Sequence, residues 1–341
     1  MANLVKTLFK AARLARKGRP MSAAFAIGDA IAPPGHAGRK PAPVAAKRKT
    51  SSSRPPRPEP GSFLLDEFRC AQGSLTYKFY TPHGSARRRM PLVVMLHGCS
   101  QTAADFAAGT GMNRLADELG FLVLYPQQSK NANLARCWNW HNPAHQGRGG
   151  EPAVIAALTR QAIILGRANP ARVYIAGLSA GGAAAAIAGA AYSSIFAAVG
   201  VHSGVSHGDI RSISAAMSAM RGDARPRLTG KPRRPLPTIV FHGDQDRVVH
   251  PSNAGAFLHQ LEQAHLGPLV ARSVTGRSDN GRDFTRRIYR SKSGDLLLED
   301  WTVHGSGHGW SGGQGGSYTD PAGPDASRAM MDFFLSLPRR P

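Results

Sequence analysis

The 341-residue sequence predicts an α/β fold, a mostly parallel sheet with helices on both faces. Two observations lead there. Short β-branched and leucine-rich runs alternate with longer helical patterns, and a glycine-flanked serine in "IAGLSAGG" marks the point where one such run gives way to a string of alanines. Strands separated by helices run parallel, because each crossover returns the chain to the same end of the sheet. No internal repeat interrupts the pattern.

Taken in order, residues Leu4 to Leu14 begin a face formed by Leu4, Val5, Leu8, Phe9, Ala12 and Ala15, with Lys6, Lys10, Arg13 and Arg16 elsewhere. This predicts a basic amphipathic segment within residues 1–32. From Pro33 to Pro60 the chain is rich in Pro, Ala, Ser, Lys and Arg and has almost nothing to bury, so 33–60 is expected to be a disordered linker. The folded domain is expected over 61–341. Within it "SLTYKFYTP", "PLVVMLHG", "FLVLYPQ", "RVYIAGL", "FAAVGVHSG", "PTIVFHGD" and "LLLEDWTV" read as strands. "ADFAAGTGMNRLADELG" reads as one helix closed by Gly120, "EPAVIAALTRQAIILGRA" and "AGGAAAAIAGAAY" as two more, and a last helix precedes Leu335. The tract Gly305 to Gly316 is too irregular for a phosphate-binding loop.

Composition narrows the function classes. The hydrophobic fraction of 42% is enough for a sizeable core, and no run of about eighteen apolar residues offers a membrane-spanning helix. The formal net charge is +22, and its distribution matters more than its size. The first sixty residues hold 13 Lys or Arg against Asp29 and Glu59, a net +11, and much of the remainder lies in Arg221 to Arg234 and Arg272 to Lys292. A solvated tail explains such an arm, and an anionic surface or granule is the partner it would suit; no specific nucleic acid is expected. Met21 to Ile31 is weakly apolar and Ala30-Ile31-Ala32 has a cleavage-site pattern, but Asp29 interrupts the run, which makes a poor secretory signal. Cys70, Cys99 and Cys137 lack metal-type spacing, and neither metal nor cofactor is expected.

The chemistry centres on Gly177-Leu178-Ser179-Ala180-Gly181. A G-x-S-x-G turn between strand and helix holds a serine in a strained conformation with its Oγ projecting from the sheet. A serine hydroxyl is a weak nucleophile at neutral pH, so a histidine has to take its proton and a carboxylate has to orient that histidine. In this architecture the acid and then the base follow the serine. "TIVFHGDQDRVV" offers Asp244 and Asp246; Asp246 is preferred, because it lies far enough past the strand to swing back, whereas Asp244 can cap the turn. The preferred base is His308 in "HGSGHGWSGG". His304, four residues earlier, is no helical metal partner with glycines between the two. The oxyanion hole is expected from the backbone N–H groups of Cys99, after "VVMLHG", and of Ala180. His97 reads as a bracing core histidine.

Taken together, "LHGCSQ", "CWNW", "GLSAGG", "AAVGVHSG", "HGDQDRVV" and "HGWSGG" resemble the polyhydroxybutyrate depolymerase family of esterases, relatives of feruloyl and acetylxylan esterases with the α/β-hydrolase fold. The resemblance covers roughly Ser74 to Leu337, and the pairing of "LHGC" with "CWNW" is its most specific part. It implies a serine esterase with Ser179, Asp246 and His308 as its triad, acting on hydroxyalkanoate polyesters or oligomers through an acyl-enzyme. Feruloyl or acetylxylan substrates are the first alternative, an aminopeptidase a more distant one, and a surface-binding protein with a silent hydrolase domain the reading from another class. The resemblance implies an extracellular setting, while the basic arm in place of a clear signal leaves a cytoplasmic or granule-associated one open. Trp138, Trp140 and Trp310 sit beside these motifs and are candidates to line an acyl pocket, with core packing the alternative. Cys99 and Cys137 are either joined, with Cys70 left over, or all three are reduced and buried.

Overall fold

In the computed structural model, residues 61–83, 89–208, 210, 212–223, 236–264 and 267–338 are described. Among them ten strands form one sheet: β1 (Phe63–Cys70), β2 (Gly73–Tyr80), β3 (Leu92–Leu96), β4 (Leu122–Gln127), β5 (Val173–Leu178), β6 (Ala198–His202), β7 (Thr238–Gly243), β8 (Leu269–Arg277), β9 (Asp283–Ser291) and β10 (Leu296–Val303). A separate two-residue pair, β11 (Trp310–Ser311) and β12 (Thr319–Asp320), follows. The helices are α1 (Ala103–Thr110), α2 (Met112–Leu119), α3 (Gly150–Gly166), α4 (Ala180–Ala191), α5 (Ile213–Arg221), α6 (Ser252–Ala264) and α7 (Ala326–Ser336).

Across the sheet the order is β1-β2-β4-β3-β5-β6-β7-β10-β9-β8. The six strands from β4 to β10 run parallel to one another, and the two at each margin are antiparallel. Every residue of β3, β5 and β6 is buried, as expected for strands covered on both faces. On one face α1, α2 and α7 close a core that includes Phe106, Phe121, Tyr174, Phe241, Trp301 and Phe334. Tyr174 and Phe334 stack there with ring centroids 4.7 Å apart. On the other face α4 lies along β5 and β6 and is itself packed by α3. The parallel strands all deliver their carboxyl ends to one rim, the place where open α/β sheets carry their ligands.

Three features depart from the sequence reading. The single helix expected to end at Gly120 is two, α1 and α2. Gly111 enters the left-handed region at φ 63° and turns its N–H back to the carbonyls of Ala107 and Ala108, ending α1, while Thr110 Oγ1 donates to Phe106 O. The basic stretch from Arg272 to Lys292 is largely the antiparallel pair β8 and β9. Arginines on its exposed and half-buried positions mask the strand alternation, and two of them are paired across to β10, half-buried Arg286 with Glu299 and exposed Arg287 with Asp300. Strand β1 and helices α5 and α6 have no counterpart in the expected element list. The amphipathic segment over 1–32, the linker over 33–60 and most of Arg221 to Arg234 lie outside the described residues.

Candidate active site

Ser179 stands between β5 and α4 with φ 58° and ψ −120°, a conformation rare for any residue with a side chain. Its N–H donates to His202 O on β6 at 2.9 Å, which pins the turn to the neighbouring strand. Small neighbours are compulsory here. A Cβ on Gly181 would collide with the carbonyl oxygens of Leu96 and His97, and one on Gly177 with the Gly181 backbone. Because the obstructing atoms are backbone, Gly181→Ala is expected to cost at least ~1–3 kcal/mol, read as a lowered urea midpoint; an unchanged midpoint would contradict this packing. Ser179 Oγ itself is buried and has no hydrogen-bond partner among the described residues.

Asp246 lies in the loop after β7 and is 3% exposed. Oδ1 accepts from the N–H groups of Val248 and Val249, both at 2.9 Å, and Oδ2 accepts from His308 Nδ1 at 2.7 Å. His242 Nε2 approaches the same Oδ2 at 3.4 Å. Burial alone would push this carboxyl up, but the His308 charge and the hydrogen bonds from His242 and His308 outweigh it and hold Asp246 well below the usual carboxylate range. An ionised Asp246 fixes the proton of neutral His308 on Nδ1 and leaves Nε2 free to accept one. Asp244 does something else: its carboxylate accepts from Gly305 N–H at 2.7 Å and meets His304 Nδ1 at 2.9 Å. The two histidines thus answer to different carboxylates, and no cluster among the described residues has the makings of a metal site.

The loop after β3 carries the candidate oxyanion donors. Gly98 N–H is already taken by Gln101 Oε1 at 2.9 Å, whereas the N–H groups of Cys99 and Ala180 make no hydrogen bond among the described residues. Gln101, 2% exposed, also donates from Nε2 to Asp105 and to Ser317 O, so it ties this loop to a segment more than two hundred residues away. Cys99 and Cys137 are joined by a disulfide and Cys70 is free. His97 is fully buried, with Nδ1 on Gly98 O at 2.8 Å and Nε2 accepting from Gln128 N–H at 3.0 Å. It braces the loop from beneath.

All three candidate tryptophans are buried. Trp138 is fully buried and its Nε1 donates to His97 O at 3.1 Å; Trp310, 1% exposed, belongs to the core, edge-on to Phe106, with Nε1 donating to Ser327 Oγ at 3.0 Å. Both indoles satisfy their only donor within the fold, and through it each ties a loop beside the site to its neighbours. Trp140 is 4% exposed, its ring edge-on to His141. Trp310 also stacks on His202, and His202 Nε2 accepts from Ser311 N–H at 2.9 Å. A buried imidazole thereby anchors the segment three residues beyond His308. Gln101, His202 and His242 are functional positions to which the sequence alone assigns no role, although each lies inside a recognisable motif, "LHGCSQ", "AAVGVHSG" and "HGDQDRVV".

Burial holds His202 down to about 3 and His97 down to about 4, both from an ordinary 6.5, so both rings stay neutral in the fold. At these two positions the unfolded chain binds more protons than the folded one below pH 6.5. Stability from these rings is therefore fully present above that pH and falls as pH drops towards the folded values, by up to ~1.4 kcal/mol per pH unit for each ring. Urea unfolding at about pH 7 and about pH 5 checks this; equal stabilities would contradict it.

The sheet order, its parallel centre and the strand-turn-helix carrying Ser179 define an α/β-hydrolase fold. Acetyl xylan esterase from Aspergillus awamori shares it, with a TM-score of 0.58 at 20% identity over 76% of this chain and 94% of that one. The family model described as esterase PHB depolymerase matches residues 75–282, and the chain belongs to that family. Its relatives include poly(3-hydroxyalkanoate) depolymerase C of Paucimonas lemoignei, 32% identical over 72% of this chain and 61% of the relative. Feruloyl esterase B of Neurospora crassa is 32% identical over 71% of this chain and 82% of the relative. The chain thus spans less than two thirds of the depolymerase's length.

Proposed function

We propose that the chain is a serine carboxylic-ester hydrolase acting on hydroxyalkanoate esters, oligomeric or polymeric, through an acyl-enzyme. Membership of an esterase family supports ester hydrolysis as the reaction class. The observation that carries the mechanism is the Asp246–His308 pair, joined at 2.7 Å, on the rim that also presents the strained Ser179. In this reading Ser179 Oγ attacks the acyl carbon and gives its proton to His308 Nε2. The oxyanion that forms takes hydrogen bonds from Cys99 and Ala180 N–H, each worth ~2.7–4 kcal/mol in the transition state. His308 then protonates the departing alcohol oxygen, leaving the acyl group on Ser179. Water, deprotonated by the same nitrogen, then attacks the acyl carbon, and as the bond to Ser179 Oγ breaks His308 returns that proton to the serine. Asp246 stabilises the imidazolium in both halves. No cofactor takes part.

The substrate class is tested by product release from hydroxybutyrate oligomers, p-nitrophenyl acyl esters and methyl ferulate with the purified chain. The reading expects the highest kcat/KM on the oligomers. Preference for methyl ferulate would move the assignment to the feruloyl branch, and no turnover of any ester would sink the enzyme reading.

Residues 61–341 are assigned to one esterase domain and residues 1–60, with a net charge of +11, to a surface-binding arm for an anionic vesicle or granule. Deleting 1–60 is expected to leave hydrolysis of a soluble ester unchanged and to reduce binding to anionic vesicles. In the full chain that binding should weaken steeply with salt, because the attraction is screened over ~10 Å at 0.1 M. Equal binding by the truncated and intact chains would remove the arm's proposed role.

A further inference from the structure

Behind Asp246 the sheet carries a second histidine and a second carboxylate that the proposed mechanism does not use. His242, 2% exposed on β7, directs Nε2 at two acceptors, Val249 O at 2.8 Å and Asp246 Oδ2 at 3.4 Å. A nitrogen facing two acceptors must hold the proton, so in a neutral His242 the other nitrogen, Nδ1, is a bare lone pair. That Nδ1 is buried with no hydrogen-bond partner among the described residues. On the adjacent strand β10, Asp300 is in register with Val240 and Thr302 with His242, which puts Asp300 and His242 on one face of the sheet, one step apart along the strands. Asp300 Oδ2 meets Arg287 at 3.4 Å, while Oδ1 is likewise buried without a partner.

Two buried acceptors, one on each of two neighbouring side chains, are costly when both stay unpaired and are satisfied together by a single proton. We propose that His242 and Asp300 hold one proton between them through one bridging water, and that His242 is thereby a positioning residue for Asp246. The couple is net neutral whichever member carries the proton. Burial favours the arrangement: it pushes the Asp300 carboxyl up, against the nearby Arg287 and His242 charges. The other titratable or charged groups around the couple are Arg287 and Tyr289 on β9, Asp246 and His308 on the loops, His202 on β6, and Glu262 on α6, which acts on Tyr289. With Nδ1 satisfied, the ring cannot turn without breaking bonds on both edges. Its Nε2–H then stays on Val249 O with Asp246 Oδ2 beside it at 3.4 Å, the oxygen that receives His308.

The role given to Asp246 rests on the triad reading above, so the test has one arm independent of activity. In the full chain carrying 15N-labelled histidine, both ring nitrogens of His242 are expected to show the shifts of protonated or hydrogen-bonded sites near neutral pH. In Asp300→Leu, Nδ1 should move to the position of a free lone pair. A free Nδ1 in the unmodified chain, or a spectrum indifferent to Asp300→Leu, overturns the couple whether or not Ser179 is the nucleophile. The kinetic arm tests positioning. His242→Phe keeps the ring and loses the donor, and it is expected to lower kcat by about 10²-fold with KM little changed. His242→Gln, whose amide can still donate to Asp246, should recover most of that loss. Equal kcat in the two variants, with both folded by circular dichroism, would reduce His242 to a packing residue and overturn its positioning role.

Discussion

Ser179→Ala is expected to lower kcat by about 10⁶-fold, to the level of the oxyanion donors and binding alone, because no other group in the proposed mechanism can form the acyl bond. The folded state should hardly notice. Ser179 Oγ is buried without a hydrogen-bond partner among the described residues, so its removal breaks no hydrogen bond, and the φ of 58° is as unfavourable for alanine as for serine. Urea midpoints equal to or slightly above that of the unmodified chain are therefore expected, together with loss of labelling by an active-site phosphonate. Retained esterase turnover in pure Ser179→Ala protein would remove the serine from the mechanism.

Asp246→Asn should lower kcat by about 10⁴-fold, since an amide NH₂ in place of Oδ2 turns a donor towards His308 Nδ1 and favours the tautomer with Nε2 protonated, which cannot accept the serine's proton. It should also destabilise, because Oδ2 faces His242 Nε2 as well as His308, and an NH₂ at that position opposes the His242 donor. Asp244→Asn is the control. An asparagine oxygen can still accept from Gly305 N–H, and the contact with half-exposed His304 is of the kind worth ~0–1 kcal/mol, so turnover should stay within a few-fold. Circular dichroism with steady-state kinetics on both variants decides; a greater loss of turnover in folded Asp244→Asn would reverse the assignment of the two carboxylates.

The sequence by itself determined what short-range chemistry controls. Seven buried or half-buried strands were legible because apolar runs of five to eight residues, bounded by Gly, Pro and polar clusters, have few other conformations available. The turn at Ser179 was legible because only Gly177 and Gly181 admit the approach of β5, α4 and the loop after β3, and glycines in that spacing are visible in one line of sequence. The family followed from six short motifs in fixed order. The β8 and β9 pair was not legible, because its side chains are mostly exposed, so arginines stand where burial would have demanded an apolar alternation.

Only the tertiary structure decided the questions that depend on long-range direction. Asp244 and Asp246 are two residues apart, yet one turns to His304 and the other to His308, about sixty residues further along the chain. For Trp138 and Trp310 the sequence left a pocket lining and core packing both open, and the fold buries both, with their N–H groups on His97 O and Ser327 Oγ. Gln101, His202 and His242 take their meaning from partners across strands or loops: Ser317, Ser311 and Asp246. The physical reason is common to all of them. Periodicity and turn chemistry act within a few residues and leave a trace in composition, whereas the direction of a buried polar side chain is set by whichever donor or acceptor the completed sheet brings within 3 Å of it.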